Sequence, residues 1–206
     1  MNKRLLIFYI FIAGTIMGLI FFVHYHPTSS FDIYVTQEIQ ELKTGNFTSV
    51  MKFISIFYNP VVMPLSVILV SLLFFVTHNR REFFFIFTTL IPDLLNILVK
   101  IMINRPRPTL ENAKLFLNFN QTSFPSGHVV HYVVFFGFLL AVMFVKKKIP
   151  SFWRIFIGIF SAFLIFTISI SRIYLGAHWV TDVIGGYLFG FIYLGIILKF
   201  YLKYPV

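Results

Sequence analysis

Long apolar stretches constrain the fold of this chain more than any other sequence feature. Six of them occur, at residues 5–23, 60–77, 83–103, 129–145, 155–171 and 179–198. An α-helix rises 1.5 Å per residue, so each stretch approaches the roughly 30 Å thickness of a bilayer's hydrocarbon core. The sequence therefore predicts an all-α, six-helix transmembrane bundle.

The composition excludes an ordinary soluble fold. Of the 206 residues, 58% are hydrophobic and 12% are charged, with a mean hydropathy of +0.87, whereas soluble domains carry about 25% charged residues. Because cysteine is absent, disulfides and thiolate chemistry are excluded. Short links between the stretches predict one integral-membrane domain over 1–206. Small residues four apart, Gly14/Gly18 and Gly186/Gly190, predict close helix packing.

The basic residues predict how the chain crosses the membrane. The net charge is +10, which in a soluble protein would suggest a nucleic-acid partner. With a cytoplasmic N-terminus, 10 of the 17 Lys and Arg residues fall in inside segments and seven outside. Cytoplasmic loops favour Lys and Arg. We therefore expect a multi-pass protein of the cell membrane with both termini cytoplasmic, a lipid bilayer around it and no nucleic-acid partner.

Three polar motifs lie at the predicted outer ends of the third to sixth spans. Residues 100–108 read Lys-Ile-Met-Ile-Asn-Arg-Pro-Arg-Pro, residues 125–128 read Pro-Ser-Gly-His, and residues 171–182 begin Ser-Arg and end in Asp. Together they bring Lys100, Arg107 and Arg172, two imidazoles and one carboxylate to one membrane face. We expect the functional site to lie on this extracytoplasmic face.

The cations predict a phosphate site. Lys100, Arg107 and Arg172 would repel one another unless a multiply charged anion lay between them. Arginine offers bidentate donors to phosphate, and lysine offers a point charge. At the second motif, Ser126 can cap a helix and Gly127 lets the backbone approach a ligand, while free N–H groups at a helix start bind anions.

The imidazoles predict phosphoryl transfer. His178 and Asp182 are four residues apart, so on a helix they share a face. The carboxylate can keep one ring nitrogen protonated and turn the other toward phosphorus, which makes His178 a candidate nucleophile. His128 can then protonate the leaving oxygen as general acid, a role worth about 10²–10⁴-fold. Since the cations neutralise the charge, we expect no metal and no other cofactor.

The complete set of motifs, in order, resembles the type-2 phosphatidic acid phosphatase and vanadium haloperoxidase superfamily. Its patterns appear here as Lys-x6-Arg-Pro, Pro-Ser-Gly-His and Ser-Arg-x5-His-x3-Asp. The transmembrane portion, from the first span onward, also resembles the six-span bacterial lipid phosphatases of that family. The resemblance implies a phospho-histidine on His178, oriented by Asp182, with His128 as acid. It also implies that five residues bind the phosphoryl group: Lys100, Arg107, Ser126, Gly127 and Arg172.

The expected activity is removal of a terminal phosphate from a lipid phosphate or diphosphate. An extracytoplasmic site favours undecaprenyl diphosphate over phosphatidylglycerol phosphate or phosphatidic acid. A phosphotransferase that passes the phosphoryl group to another lipid remains open. So does a non-enzymatic lipid transporter or binding protein, although transporters place ionisable residues at mid-membrane. The pattern specifies no oligomeric state.

Three further ionisable residues lie near the motifs without belonging to them. Asp93 lies deep in the third span, where charge is costly, and can be neutral or hydrogen-bonded near Asn96. His131 is one helical turn from His128, and we expect it to be structural. Arg105 is a weaker candidate for contact with a second phosphate.

Overall fold

The computed structural model describes residues 3–41, 44–116 and 122–203, with the side chains of the first helix described from residue 10. This part of the chain is α-helical and contains no strand. The helices are α1 (Lys3–Tyr25), α2 (Ser30–Gln40), α3 (Gly45–Ile54), α4 (Val62–Val76), α5 (Arg80–Thr88), α6 (Ile91–Ile103), α7 (Gly127–His131), α8 (Gly137–Val145), α9 (Ser151–Tyr174) and α10 (Val180–Lys203). A 3₁₀ turn, Ser55–Tyr58, follows α3, and a π-helical turn, Tyr132–Phe136, joins α7 to α8.

Four helical stretches are each long and apolar enough to cross a membrane. They are Arg80–Ile103, Gly127–Val145, Ser151–Tyr174 and Val180–Lys203, and they correspond to the predicted third to sixth spans. Each extends a few residues beyond the predicted bounds at one or both ends. The all-α membrane fold is thus confirmed.

The first two predicted spans belong to bent pairs of helices. Ile10–Tyr25 meets Ser30–Gln40 at 91°, and Gly45–Tyr58 meets Val62–Val76 at 61°. The described chain reaches six spans if each pair counts as one. Helix α4 alone has 15 residues, about 22 Å, because Pro60 and the turn before it interrupt the helix.

A central helix carries the second motif at its start. The stretch Gly127–Val145 is the most buried of the four long helices, as expected for a helix that is apolar on all sides. Its π-helical turn inserts an extra residue into the helical repeat, a feature often found near functional sites. The helix begins at the residue that follows Ser126.

Close packing of α10 against this central helix depends on two glycines. A Cβ added at Gly186 would lie 2.8 Å from the Cβ of Val129, and one at Gly190 would lie 2.8 Å from the Cβ of Val133. At Gly14 and Gly18 an added Cβ would meet nothing within 4 Å in the described chain. The predicted packing role is confirmed for the pair in α10 and wrong, within this chain, for the pair in α1.

The polar stretch after α1 folds back over one end of the bundle. Ser29 accepts a hydrogen bond from the Asp32 N–H, and Thr44 accepts one from the Phe47 N–H, so each begins a short helix with a side-chain cap. The buried Gln40 amide then donates to the carbonyls of Lys114 and Tyr174, at 2.8 and 2.9 Å. The short helices are thereby tied to the ends of the long ones.

We expect Gly190→Ala to lower the thermal stability of the protein in detergent. The added methyl group overlaps Val133 in a packed interface, and overpacking of this kind costs about 1–3 kcal/mol. The matched control, Gly18→Ala, adds the same methyl group to open space and is expected to leave the melting temperature unchanged or raised. Equal effects of the two variants on thermal unfolding would contradict close packing at Gly190.

Candidate active site

The three sequence motifs come together at one end of the bundle. Lys100 lies near the end of α6 and Arg172 near the end of α9. His128 lies in the first turn of α7, and His178 lies in the loop that precedes α10. Two helix C-termini and two helix N-termini therefore present the predicted residues to a common volume.

The His178 ring lies between a carboxylate and a cation. Its Nδ1 is 3.5 Å from Asp182 Oδ2, and its Nε2 is 3.4 Å from Arg107 Nη1. The ring is buried, with 1% of the residue exposed. Burial and the nearby charges of Arg107, Lys100 and Arg172 hold the pKa of His178 well below its usual range. His178 is therefore a neutral imidazole near pH 7.

Each of the three predicted cations is held by neighbouring oxygen atoms. Lys100 Nζ donates to the carbonyls of Thr122 and Ser123, at 2.8 and 3.1 Å. Arg172 Nη1 donates to Ser55 Oγ at 2.8 Å, and Arg107 Nη1 donates to the Ala177 carbonyl at 2.5 Å. Burial lowers the pKa of Arg107 to about 10, so this guanidinium remains charged at neutral pH. The site is strongly positive.

The second histidine of the motifs lies across from the first. The ring centroids of His128 and His178 are 6.4 Å apart. Tyr58, from the 3₁₀ turn, packs on the half-buried His128 ring at a centroid distance of 4.5 Å. Sequence reasoning missed Tyr58, because nothing near it in the chain resembles a motif.

Ser126 begins the central helix without capping it through its side chain. Its Oγ is buried and has no hydrogen-bond partner in the described chain, while its N–H donates to the Asp182 carbonyl at 3.0 Å. The predicted side-chain cap is therefore wrong, and the hydroxyl is available to a ligand. A Cβ at Gly127 would lie 2.5 Å from the Tyr58 hydroxyl, so packing against Tyr58 also requires glycine there.

A buried ion-pair network fixes Asp182. Arg105 Nη1 donates to Asp182 Oδ1 at 2.6 Å, and Arg105 Nη2 donates to Asp32 Oδ2 at 2.7 Å. The other carboxylate oxygen of Asp182 accepts from the Ser123 hydroxyl and, at 2.8 Å, from the Trp179 N–H. The suggested contact between Arg105 and a second phosphate is wrong, because its guanidinium is shared between two carboxylates.

A second buried pair lies beside the site. Asp93 Oδ2 is 2.9 Å from His131 Nδ1, and the His131 ring is 5.5 Å from the Tyr58 ring. Asp93 thus pairs with His131, whereas the Asn96 amide has no partner in the described chain. Among the described residues, no group of three or more His, Cys, Asp or Glu side chains is placed so that it could hold a metal ion.

The fold and the motifs define the class of protein to which the chain belongs. The family model of the PAP2 superfamily matches residues 81–204. This range covers more than half of the chain and contains all three motifs. The chain is a member of the PAP2 superfamily.

Individual relatives agree with this assignment. The chain is 35% identical over 112 residues to phosphatidylglycerophosphatase B of Bacillus subtilis (strain 168). The match covers 53% of this chain and 50% of that relative. The chain therefore spans about half of the relative's length.

The fold itself matches two solved structures. A transmembrane PAP2-type phosphatidylglycerolphosphate phosphatase from Bacillus subtilis aligns with a TM-score of 0.80 and 22% identity, over 94% of this chain and 96% of that one. Aquifex aeolicus LpxE aligns with a TM-score of 0.59 and 21% identity, over 84% and 97%. At these identities the likeness concerns the fold.

The contrast between Arg105 and Arg107 is testable by stability. We expect Arg105→Met to lower the free energy of unfolding by about 3–5 kcal/mol, because it leaves two buried carboxylates without their cation. Arg107→Met removes the same charge two residues away and is expected to cost much less, since Arg107 is half-buried whereas Arg105 is 2% exposed. Thermal unfolding in detergent measures both. An equal loss in the two variants would contradict a structural role specific to Arg105.

The charge state of His178 is testable by titration. In protein with ¹³C-labelled histidine, we expect the His178 ring signal, assigned with His178→Gln, to stay in its neutral form until the pH falls well below 6.5. Arg107→Gln removes a nearby positive charge, so the pKa of His178 should rise and the titration midpoint should move to higher pH. A midpoint at or above 6.5 in the parent protein would show that the cations do not control this ring.

Proposed function

We propose that the chain is an integral-membrane phosphatase that removes the terminal phosphate of a lipid phosphate or diphosphate through a phospho-histidine on His178. One observation carries the proposal: the buried His178 imidazole has one nitrogen 3.5 Å from the Asp182 carboxylate and the other 3.4 Å from the Arg107 guanidinium. The charges of Arg107, Lys100 and Arg172, together with burial, keep the pKa of His178 low and so favour the neutral ring. A nucleophile for phosphorus needs this arrangement, since the attacking nitrogen must be unprotonated and must face the anion. Membership of the PAP2 superfamily supports the same chemistry.

The cations and the start of α7 form the phosphate-binding part of the site. Lys100, Arg107 and Arg172 all act electrostatically on His178. The unpartnered Ser126 hydroxyl and the backbone at Gly127 add neutral donors at a helix N-terminus. Donors fixed in advance around a phosphoryl group stabilise the charge that spreads over its equatorial oxygens during transfer.

The reaction proceeds in two displacements. His178 Nε2 forms a bond to phosphorus while the bond from phosphorus to the lipid oxygen breaks. His128, in the imidazolium form that the negative charge of a bound phosphate favours, gives a proton to that departing oxygen and becomes neutral. Asp182, whose Oδ2 lies 3.5 Å from Nδ1, stabilises the positive charge that develops on the ring. Water then attacks phosphorus, with His128 taking its proton, and the P–N bond breaks to release inorganic phosphate.

A lipid substrate follows from the position of the site at one end of a membrane bundle. The phosphate would enter this end while the hydrophobic tail stays in the bilayer. The charge distribution favours an extracytoplasmic site, with both termini cytoplasmic, and this sidedness favours undecaprenyl diphosphate. The similarity to a relative named phosphatidylglycerophosphatase B favours phosphatidylglycerol phosphate instead. The two substrates differ in tail and leaving group, and both offer a terminal phosphate.

We expect His178→Gln to abolish phosphate release from every lipid substrate and to prevent labelling of the protein with ³²P from a labelled substrate. The parent protein, quenched during turnover, should carry an acid-labile, base-stable phosphate on the peptide that contains His178. The measurement combines phosphate release from undecaprenyl diphosphate, phosphatidylglycerol phosphate and phosphatidic acid, in EDTA, with peptide mapping of the label. The kcat/KM values of the three lipids rank them as substrates.

The control is His24→Gln, an exposed histidine outside the motifs, which should retain turnover and labelling. Label on another residue would contradict the proposed nucleophile. Label on His178 with the phosphate recovered on a second lipid, and none as inorganic phosphate, would identify a lipid-to-lipid phosphotransferase. Lipid binding without release or labelling in the parent protein would leave only a transporter or binding role.

A further inference from the structure

A large groove opens at the end of the bundle opposite to the candidate active site. Its volume is about 1290 Å³, and it lies between α4, the start of α5, the central helix and α9. We call it the Trp153 groove. Aromatic side chains form much of its wall: Phe57, Phe74, Phe135, Phe136, Trp153 and Phe160. Trp153 and Leu73, both lining residues, are 52% and 59% exposed, so the groove is open toward the surrounding bilayer.

Basic side chains surround the mouth of the Trp153 groove. Arg80, Arg81, Lys146 and Lys148 line it, and Glu82 is the acid among its lining residues. Glu82 accepts from the Tyr201 hydroxyl at 2.9 Å and lies 3.4 Å from Lys146, so its charge is already compensated. Arg80 and Lys148 are exposed. The mouth therefore carries an excess of positive charge above an apolar cleft.

Arg81 lines the groove and is held against an aromatic ring. Its guanidinium lies 4.1 Å above the Tyr201 ring centre, and Arg81 is among the residues that line the groove. A guanidinium held in this way beside an apolar cleft can attract the phosphate of a lipid headgroup electrostatically.

We propose that the Trp153 groove binds an anionic phospholipid, with its phosphate at Arg81 and Lys148 and its acyl chains against the aromatic wall. Apolar walls exposed to the bilayer suit acyl chains, and the basic mouth complements an anionic headgroup. This lipid lies in the leaflet opposite to the candidate active site, because Arg80 begins α5 whereas Lys100 lies near the end of α6. It is therefore distinct from the substrate, and its binding does not depend on the proposed catalytic function.

The test uses quenching of Trp153 fluorescence by brominated lipids in nanodiscs. The full chain carries Trp179→Phe, which leaves Trp153 as the sole tryptophan. Discs of phosphatidylcholine contain either brominated phosphatidylserine or brominated phosphatidylcholine at equal, low mole fraction. Phosphatidylserine is chosen because its phosphate is a diester, so it has no terminal phosphate to lose. We expect markedly stronger quenching by the serine lipid, saturating at low mole fraction.

Three variants separate a specific binding site from general attraction of anionic lipid to a basic protein. Lys148→Gln removes a charge at the mouth and should weaken the phosphatidylserine effect about fivefold, the worth of one lysine near an anionic membrane surface. The matched control is Lys147→Gln, the exposed neighbour that does not line the groove, which should leave the effect unchanged. Val70→Phe, within the groove wall, should reduce quenching without any change of charge.

Three outcomes would overturn the proposal. Equal quenching by the two brominated lipids in the parent protein would show an unselective apolar surface. Equal losses for Lys147→Gln and Lys148→Gln would show attraction by net charge alone. A dimer in native mass spectra that retains no phospholipid, and whose formation Val70→Phe blocks, would assign the groove to a second copy of the chain.

Discussion

The candidate site depends on the buried guanidinium of Arg105, which holds together three parts of the chain that are far apart in sequence. It pairs with Asp32 from α2 and Asp182 from α10, and its Nε donates to the Pro27 carbonyl at 3.0 Å. Buried ions are stable only when every lone pair and proton is satisfied. Here Thr181 donates to Asp32 through its N–H and its hydroxyl. Without this network, the loop that carries His178 would lose its ion pairs and hydrogen bonds to α2.

The same network explains why His178 stays neutral beside a carboxylate. Asp182 forms its close ion pair with Arg105, at 2.6 Å, whereas it lies 3.5 Å from the His178 ring. A carboxylate paired in this way attracts a proton on the imidazole less than a bare one would. Burial and three cations then dominate, and they oppose protonation. Asp182 is thus suited to orient the His178 ring and to stabilise the positive charge of that ring after phosphorylation. It does not cause the ring to be protonated in the free enzyme.

The sequence alone identifies the motif residues and misses those that hold them. His178 and Asp182 could be predicted because their spacing is local, and Lys100 because it ends an apolar stretch. Arg105 and Arg107 each lie in an Arg-Pro pair, and in sequence only the spacing from Lys100 in the family pattern distinguishes them. That Arg105 is structural follows from the distant Asp32, with which it pairs. Ser29 and Asp32 form a helix-capping pattern, but nothing local says that this carboxylate would be buried under α10. The bend after α1 is likewise a consequence of those tertiary contacts.

A single short segment links the candidate site to the groove at the other end of the bundle. In the 3₁₀ turn Ser55–Tyr58, residues three apart eclipse one another, so Ser55 and Tyr58 share a face. Ser55 accepts from Arg172 and Tyr58 packs on His128, whereas Phe57 lies on another face and lines the Trp153 groove. The turn is therefore packed from both sides. Because protein interiors are close-packed, Phe57 is the residue at which the packing of the groove wall meets the packing behind the candidate site.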